Sequence, residues 1–161
     1  MKKILVLAAL LLSMLGASAQ NGKNLYLKYS DSPGVSAVYV SPAMFKLIGK
    51  IPDIEAGDSD INLTPIIRGL SGLYILDSEN LDINEKLSKE VRKFIASGDY
   101  ELLMETKDNG EVMRMYTCGD QKTVTSFVML SIEKDEVTFI CLDGKLDRKE
   151  LEDIMAKQMA Q

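Results

Sequence analysis

Apolar and polar positions alternate with several different periods along this chain, and each change of period marks an element. From Val35 to Val40 (VSAVYV) β-branched and aromatic residues are dense enough for a strand buried on much of both faces. Ser41 can then accept a helix-terminal N–H bond, and Pro42 suits the first helical turn, where its missing N–H costs nothing. Met44, Leu47 and Ile48 recur at helical spacing until Gly49 and Pro52 close that helix. A loop is expected from Pro52 to Arg68, followed by a strand over Leu70–Leu76. Ile83, Leu87, Val91, Phe94 and Ile95 form a helical stripe, with Asp82 as its expected cap and Gly98 as its stop.

The second half reads as a meander. Tyr100–Lys107 and Glu111–Cys118 flank Asn109-Gly110, the strongest short hairpin signal. A two-residue turn there sets Asp108 opposite Glu111, Glu105 opposite Arg114, Met104 opposite Met115, Leu102 opposite Thr117 and Cys118 opposite Glu101. Val124–Ile132 and Val137–Leu142 pair across Glu133–Glu136. Asp147, with Glu150 three residues on, opens a last helix whose stripe is Leu151, Ile154, Met155 and Met159. The predicted fold is α+β, a mostly antiparallel sheet of about six strands with three helices packed on one face.

These segments carry a resemblance. "KYSDSPGVSAVYVSPAMF" (28–45), "LSGLYILDSEN" (70–80), "YELLMETKDNGEVMRMYT" (100–117) and "VTFICLDGKLD" (137–147) together resemble the domain of unknown function 4252 family, small exported proteins common in Bacteroidetes. The resemblance implies an exported α+β domain, with relatives near envelope-stress or sigma-factor regulation, and it carries over no catalytic residue.

The N-terminus points to the same address. Lys2 and Lys3 precede an apolar Ile4–Leu15, and Ala17 and Ala19 supply the small residues of a cleavage site. The apolar run is short for a membrane span, which takes about 20 residues. Residues 1–19 are therefore read as a cleaved signal peptide and 20–161 as a single domain, periplasmic or secreted. Gln20 stands where a lipoprotein needs Cys, so no acyl anchor is expected. Without Lys2 and Lys3, 17 basic side chains face 24 acidic ones, a net charge of −7. That sign disfavours nucleic acid and anionic lipid.

Candidate chemistry is sparse. The chain has no His, which removes Ser-His-Asp and Cys-His catalysis and His-ligated zinc. Asp58-Ser59-Asp60-Ile61-Asn62 imitates the start of a calcium loop, but Leu63 stands where the loop needs Gly and Gly69 where it needs Glu. No cofactor, metal or catalytic residue is assigned. Met104, Met113, Met115 and Met129 are read as core, with an adaptable apolar groove as the alternative.

The leading expectation is a non-enzymatic domain that binds another envelope protein or peptide, in envelope signalling, through a sheet face or edge. Leu103, Tyr116, Glu105 and Arg114 form its candidate surface, because Leu103 and Tyr116 are large apolar groups on a face expected to be wet. The alternative is a carrier of a small apolar ligand between sheet and helices, and a carboxylate-based hydrolase ranks below it. Counting from the turns places Cys118 on the polar face and Cys141, opposite Val128, on the apolar one. Two free thiols are therefore expected despite export.

Overall fold

The computed structural model describes the backbone of residues 21–50, 55–56, 59–62 and 64–159, and the side chains of residues 21–50 and 64–153. The proposed signal peptide, Asp58, and the side chains of residues 59–62 and of Ile154, Met155 and Met159 lie outside the described residues.

Helix α1 (Gly22–Tyr29) starts at Asn21, whose side chain accepts from the Asn24 N–H. Strand β1 (Val35–Val40) leads into α2 (Pro42–Ile48), with Ser41 and Pro42 in the predicted capping roles. The expected loop from Pro52 to Arg68 holds instead a small hairpin, β2 (Glu55–Ala56) with β3 (Ser59–Asn62), and a short helix α3 (Thr64–Gly69). Then come β4 (Leu70–Ser78) and α4 (Leu81–Ser97). Asn80, not Asp82, caps α4: its side chain accepts from the N–H groups of Asp82 and Ile83. The meander is β5 (Tyr100–Asp108), β6 (Glu111–Gly119), β7 (Thr123–Ile132) and β8 (Val137–Asp147). Helix α5 (Arg148–Met159) follows, and Asp147 accepts from the N–H groups of Lys149 and Glu150 as its sequence pattern requires. Five helices are thus present among the described residues, where three were expected.

The main sheet has the order β1-β4-β8-β7-β6-β5, antiparallel throughout. β1 is an edge strand, with Val38 and Tyr39 exposed, so the dense apolar run is not buried on both faces. The α2 stripe is also corrected: Met44 and Leu47 are exposed and Phe45 is the buried residue, because a seven-residue helix at the sheet end reaches the core with one side chain.

Following partners across the six strands separates two faces. Tyr39, Tyr74, Cys141, Val128, Tyr116 and Leu102 form one row of the inner face. Ala37, Leu76, Phe139, Leu130, Arg114 and Glu105 form the next. Helices α1 and α4 pack here, closing a core of Leu25, Leu76, Leu87, Val91, Val128, Leu130, Phe139 and Cys141. The approach of α1 is close: a Cβ on Gly22 would stand 2.3 Å from Cys141 Sγ. The outer face carries Val38, Ile75, Ile140, Met129, Met115 and Met104 in one row, and Val40, Leu73, Leu142 and Phe127 in the next.

Candidate interaction surface and a thiol–carboxylate cluster

The β5–β6 turn is built as its two residues dictate. Asn109 has φ 48° and Gly110 has φ 92°, Asp108 faces Glu111, and Glu105 faces Arg114. Past Met104 the register departs from the regular count. Leu103 is an extra residue in a β-bulge, so Leu102 faces Tyr116 rather than Thr117, and Cys118 faces Tyr100 rather than Glu101.

This bulge divides the predicted surface. Leu103 is exposed on β5. Beside it Glu105 accepts from Arg114 Nε at 2.6 Å and pairs with Lys107 Nζ at 2.7 Å. The Lys107 ammonium first, and the Arg114 guanidinium with it, hold the Glu105 carboxyl below the usual carboxylate range. Tyr116 does not join them at the wet surface, because it is half-buried and packs against the core. The expectation of a wet face failed there for a geometric reason. Arg114 and Leu130 share the inner face, whose helices pack on β4, β7 and β8. One face therefore runs from dry at β8 to wet at β5.

β5 is the other edge strand of the sheet and is exposed from Glu101 to Asp108. Its Leu102, Leu103 and Met104 are consecutive exposed apolar residues. The four methionines read as core prove instead to share the outer face. Met104, Met115 and Met129 are successive partners across three strands, and Met113 and Met129 line a shallow depression with Thr106, Ser131 and Glu111. The signal in sequence was the unbroken run in β7, where Phe127 and Met129 interleave with Val128 and Leu130, apolar toward both faces.

A second constellation, not singled out by the sequence, sits on the inner face. Asp143 Oδ1 accepts from the Ser126 hydroxyl at 2.9 Å and from the Cys141 thiol at 3.4 Å, while the Tyr100 hydroxyl donates to Ser126 Oγ at 3.2 Å. Burial, and then the Asp143 carboxylate, push the Cys141 thiol up, which opposes thiolate formation. Burial likewise pushes Tyr100 up to about 12. The cluster holds protons tightly, and its chemistry is that of a satisfied buried polar network.

Both cysteines are free, as expected, but not because they face opposite ways. Cys118 lies opposite Ser126 and Cys141 opposite Val128, both on the inner face. They stand on β6 and β8 with β7 between, two strand spacings of about 4.8 Å each, beyond the roughly 7 Å a disulfide spans.

Among the described residues, Asp77 and Glu136 form a hydrogen-bonded carboxylate pair. Hydrogen bonding to Asp77, and repulsion from it, raise the Glu136 carboxyl above its ordinary range, and Thr138 Oγ1 contacts both residues. They lie at the outer-face border, at the end of the sheet marked by the meander turns. Among the described residues no group of His, Cys, Asp and Glu is placed to hold a metal ion, and no helix is long and apolar enough to cross a membrane.

Fold and register define an α+β protein with one six-stranded antiparallel sheet. Residues 29–154 match the model of a domain of unknown function, DUF4252, and the chain belongs to that family. No curated protein matches the chain.

Proposed function

We propose that the protein is an exported, non-catalytic binding domain that takes up an extended apolar segment of another envelope protein or peptide along β5, in a signalling role. The observation that carries this reading is the free edge of β5, exposed from Glu101 to Asp108 and bearing Leu102, Leu103 and Met104. A free edge offers unpaired N–H and C=O groups to an added strand, and alternate side chains supply selectivity. The bulge at Leu103 and the charges of Glu101, Glu105 and Lys107 discourage indiscriminate pairing, which is how selective edges are kept soluble. Export rests on the basic start, apolar run and small residues of the first 19 positions. Carriage of an apolar ligand between sheet and helices finds no support in the packing, since Leu76, Leu87, Val91 and Phe139 fill that space with no exposed surface.

Amide hydrogen exchange tests the reading. An extended peptide of alternating Val and Thr should slow exchange along β5, and Leu103→Pro should abolish the effect. Slowing confined to other strands, or none at all, would overturn it.

A further inference from the structure

We infer that the outer face of the sheet is the contact surface of a symmetric dimer of this chain. This surface shares Met104 with the free edge of β5 but runs across the sheet rather than along that edge, and it does not depend on the edge's role.

The central outer row, Val38, Ile75, Ile140, Met129, Met115 and Met104, crosses all six strands without a polar residue. Val38 and Met104, at its two ends, are 48% and 43% exposed, and the residues between them are half-buried. An apolar band of that width is what a monomer's surface normally avoids. The border is polar where Ser36, Asp77, Thr138 and Ser131 follow one another on four strands. An apolar centre with a polar rim is the anatomy of an interface.

Size and charge select a second copy as the occupant. The five strands of nine or more residues, β4 to β8, give a face of roughly 24 by 30 Å, about 700 Å² on each copy, to which the six-residue β1 adds a margin. Two such faces bury about 1,400 Å², within the range of a stable specific interface. Sheets pack this way about 10 Å apart, with mean strand directions within about 30°. The two ends of the sheet differ in charge. One is net acidic, with Asp77, Asp108, Glu111, Glu133 and Glu136 against Lys107 and Lys134, and the other carries Arg68, Lys122, Lys145 and Arg148 among mixed charges. A two-fold axis lying in the interface, perpendicular to the strands, sets the acidic end of each copy over the mixed end of the other. An axis along the strands would stack acid on acid. The first arrangement is the dimer inferred here, with β7 lying over β7 and β5 over β5. Methionine side chains suit such a contact, because they adapt to one another at little conformational strain.

Sedimentation equilibrium of the purified protein across the micromolar range tests this. The expected result is twice the monomer mass, with the dissociation constant raised about tenfold or more by Met129→Lys, at the centre of the contact, and raised less by Met104→Lys, at its end. Met104 already meets solvent, so its lysine variant folds even where Met129→Lys disturbs the sheet; urea unfolding of each variant verifies this. A monomer throughout would overturn the inference, and so would a dimer indifferent to both lysines. A dimer abolished by Leu103→Pro, with the two lysines silent, would assign association to the β5 edge and overturn it equally.

Discussion

Cys141 stands where a thiol is least able to react. No solvent reaches it, Gly22 of α1 lies against its sulfur, and its S–H donates a hydrogen bond to Asp143 Oδ1. Cys118, at the end of β6, is partly open to water. Alkylation of the native protein without reductant should therefore label Cys118 well before Cys141, and unfolding should admit two labels, read by intact mass. A chain that takes up no label when unfolded would contain a disulfide, and the strand order placing β7 between the two sulfurs would be wrong. The register-based expectation of opposite faces reached the right pairing state through the wrong geometry. Distance across β7 keeps the thiols apart.

Among the elements, the β5–β6 hairpin is the one whose geometry rests on a single residue pair. Asn109→Val should lower stability by about 1 to 2 kcal/mol, because a β-branched side chain strains the positive φ that this turn needs. A chemical-denaturation midpoint equal to that of the unchanged protein would refute it. This hairpin also shows what was legible in the residues. Asn109-Gly110 and the alternation on either side carried the register as far as Met104–Met115, and the stripe Leu87, Val91, Phe94, Ile95 carried α4. The bulge at Leu103 was not legible, because an extra residue leaves no mark on composition, yet it moves every later partner by one. Helix α3 could have been found from Thr64-Pro65, the same hydroxyl–proline pair that signalled α2 at Ser41-Pro42. The candidate surface was half legible. Its charged pair followed from the turn, whereas the burial of Tyr116 depends on how far the helices reach across the sheet, which no local pattern encodes.

For the whole molecule, three of the inner-side hydroxyls titrate together. Tyr29, Tyr74 and Tyr100 are each raised from 10.0 to about 12, in each case chiefly by burial. The folded state keeps protons that the unfolded chain gives up, so the stability these groups contribute is intact below pH 10 and is lost progressively between pH 10 and about 12. Urea midpoints should fall across that window, and Tyr100→Phe should make the fall shallower; a midpoint independent of pH there would contradict the packing of these rings. The strand order has a consequence of another kind. β8 lies between β4 and β7 near the middle of the sheet, yet it is the last strand in the chain. Leu76 has no cross-strand neighbour on that side until Phe139 arrives, and α1 has no Cys141 to rest on. A chain emerging N-terminus first thus has β4 and α1 waiting on Val137–Asp147, since non-local pairing cannot begin before both partners exist. The earlier strands stay threadable until Val137–Asp147 has been delivered, and the sheet then closes around β8.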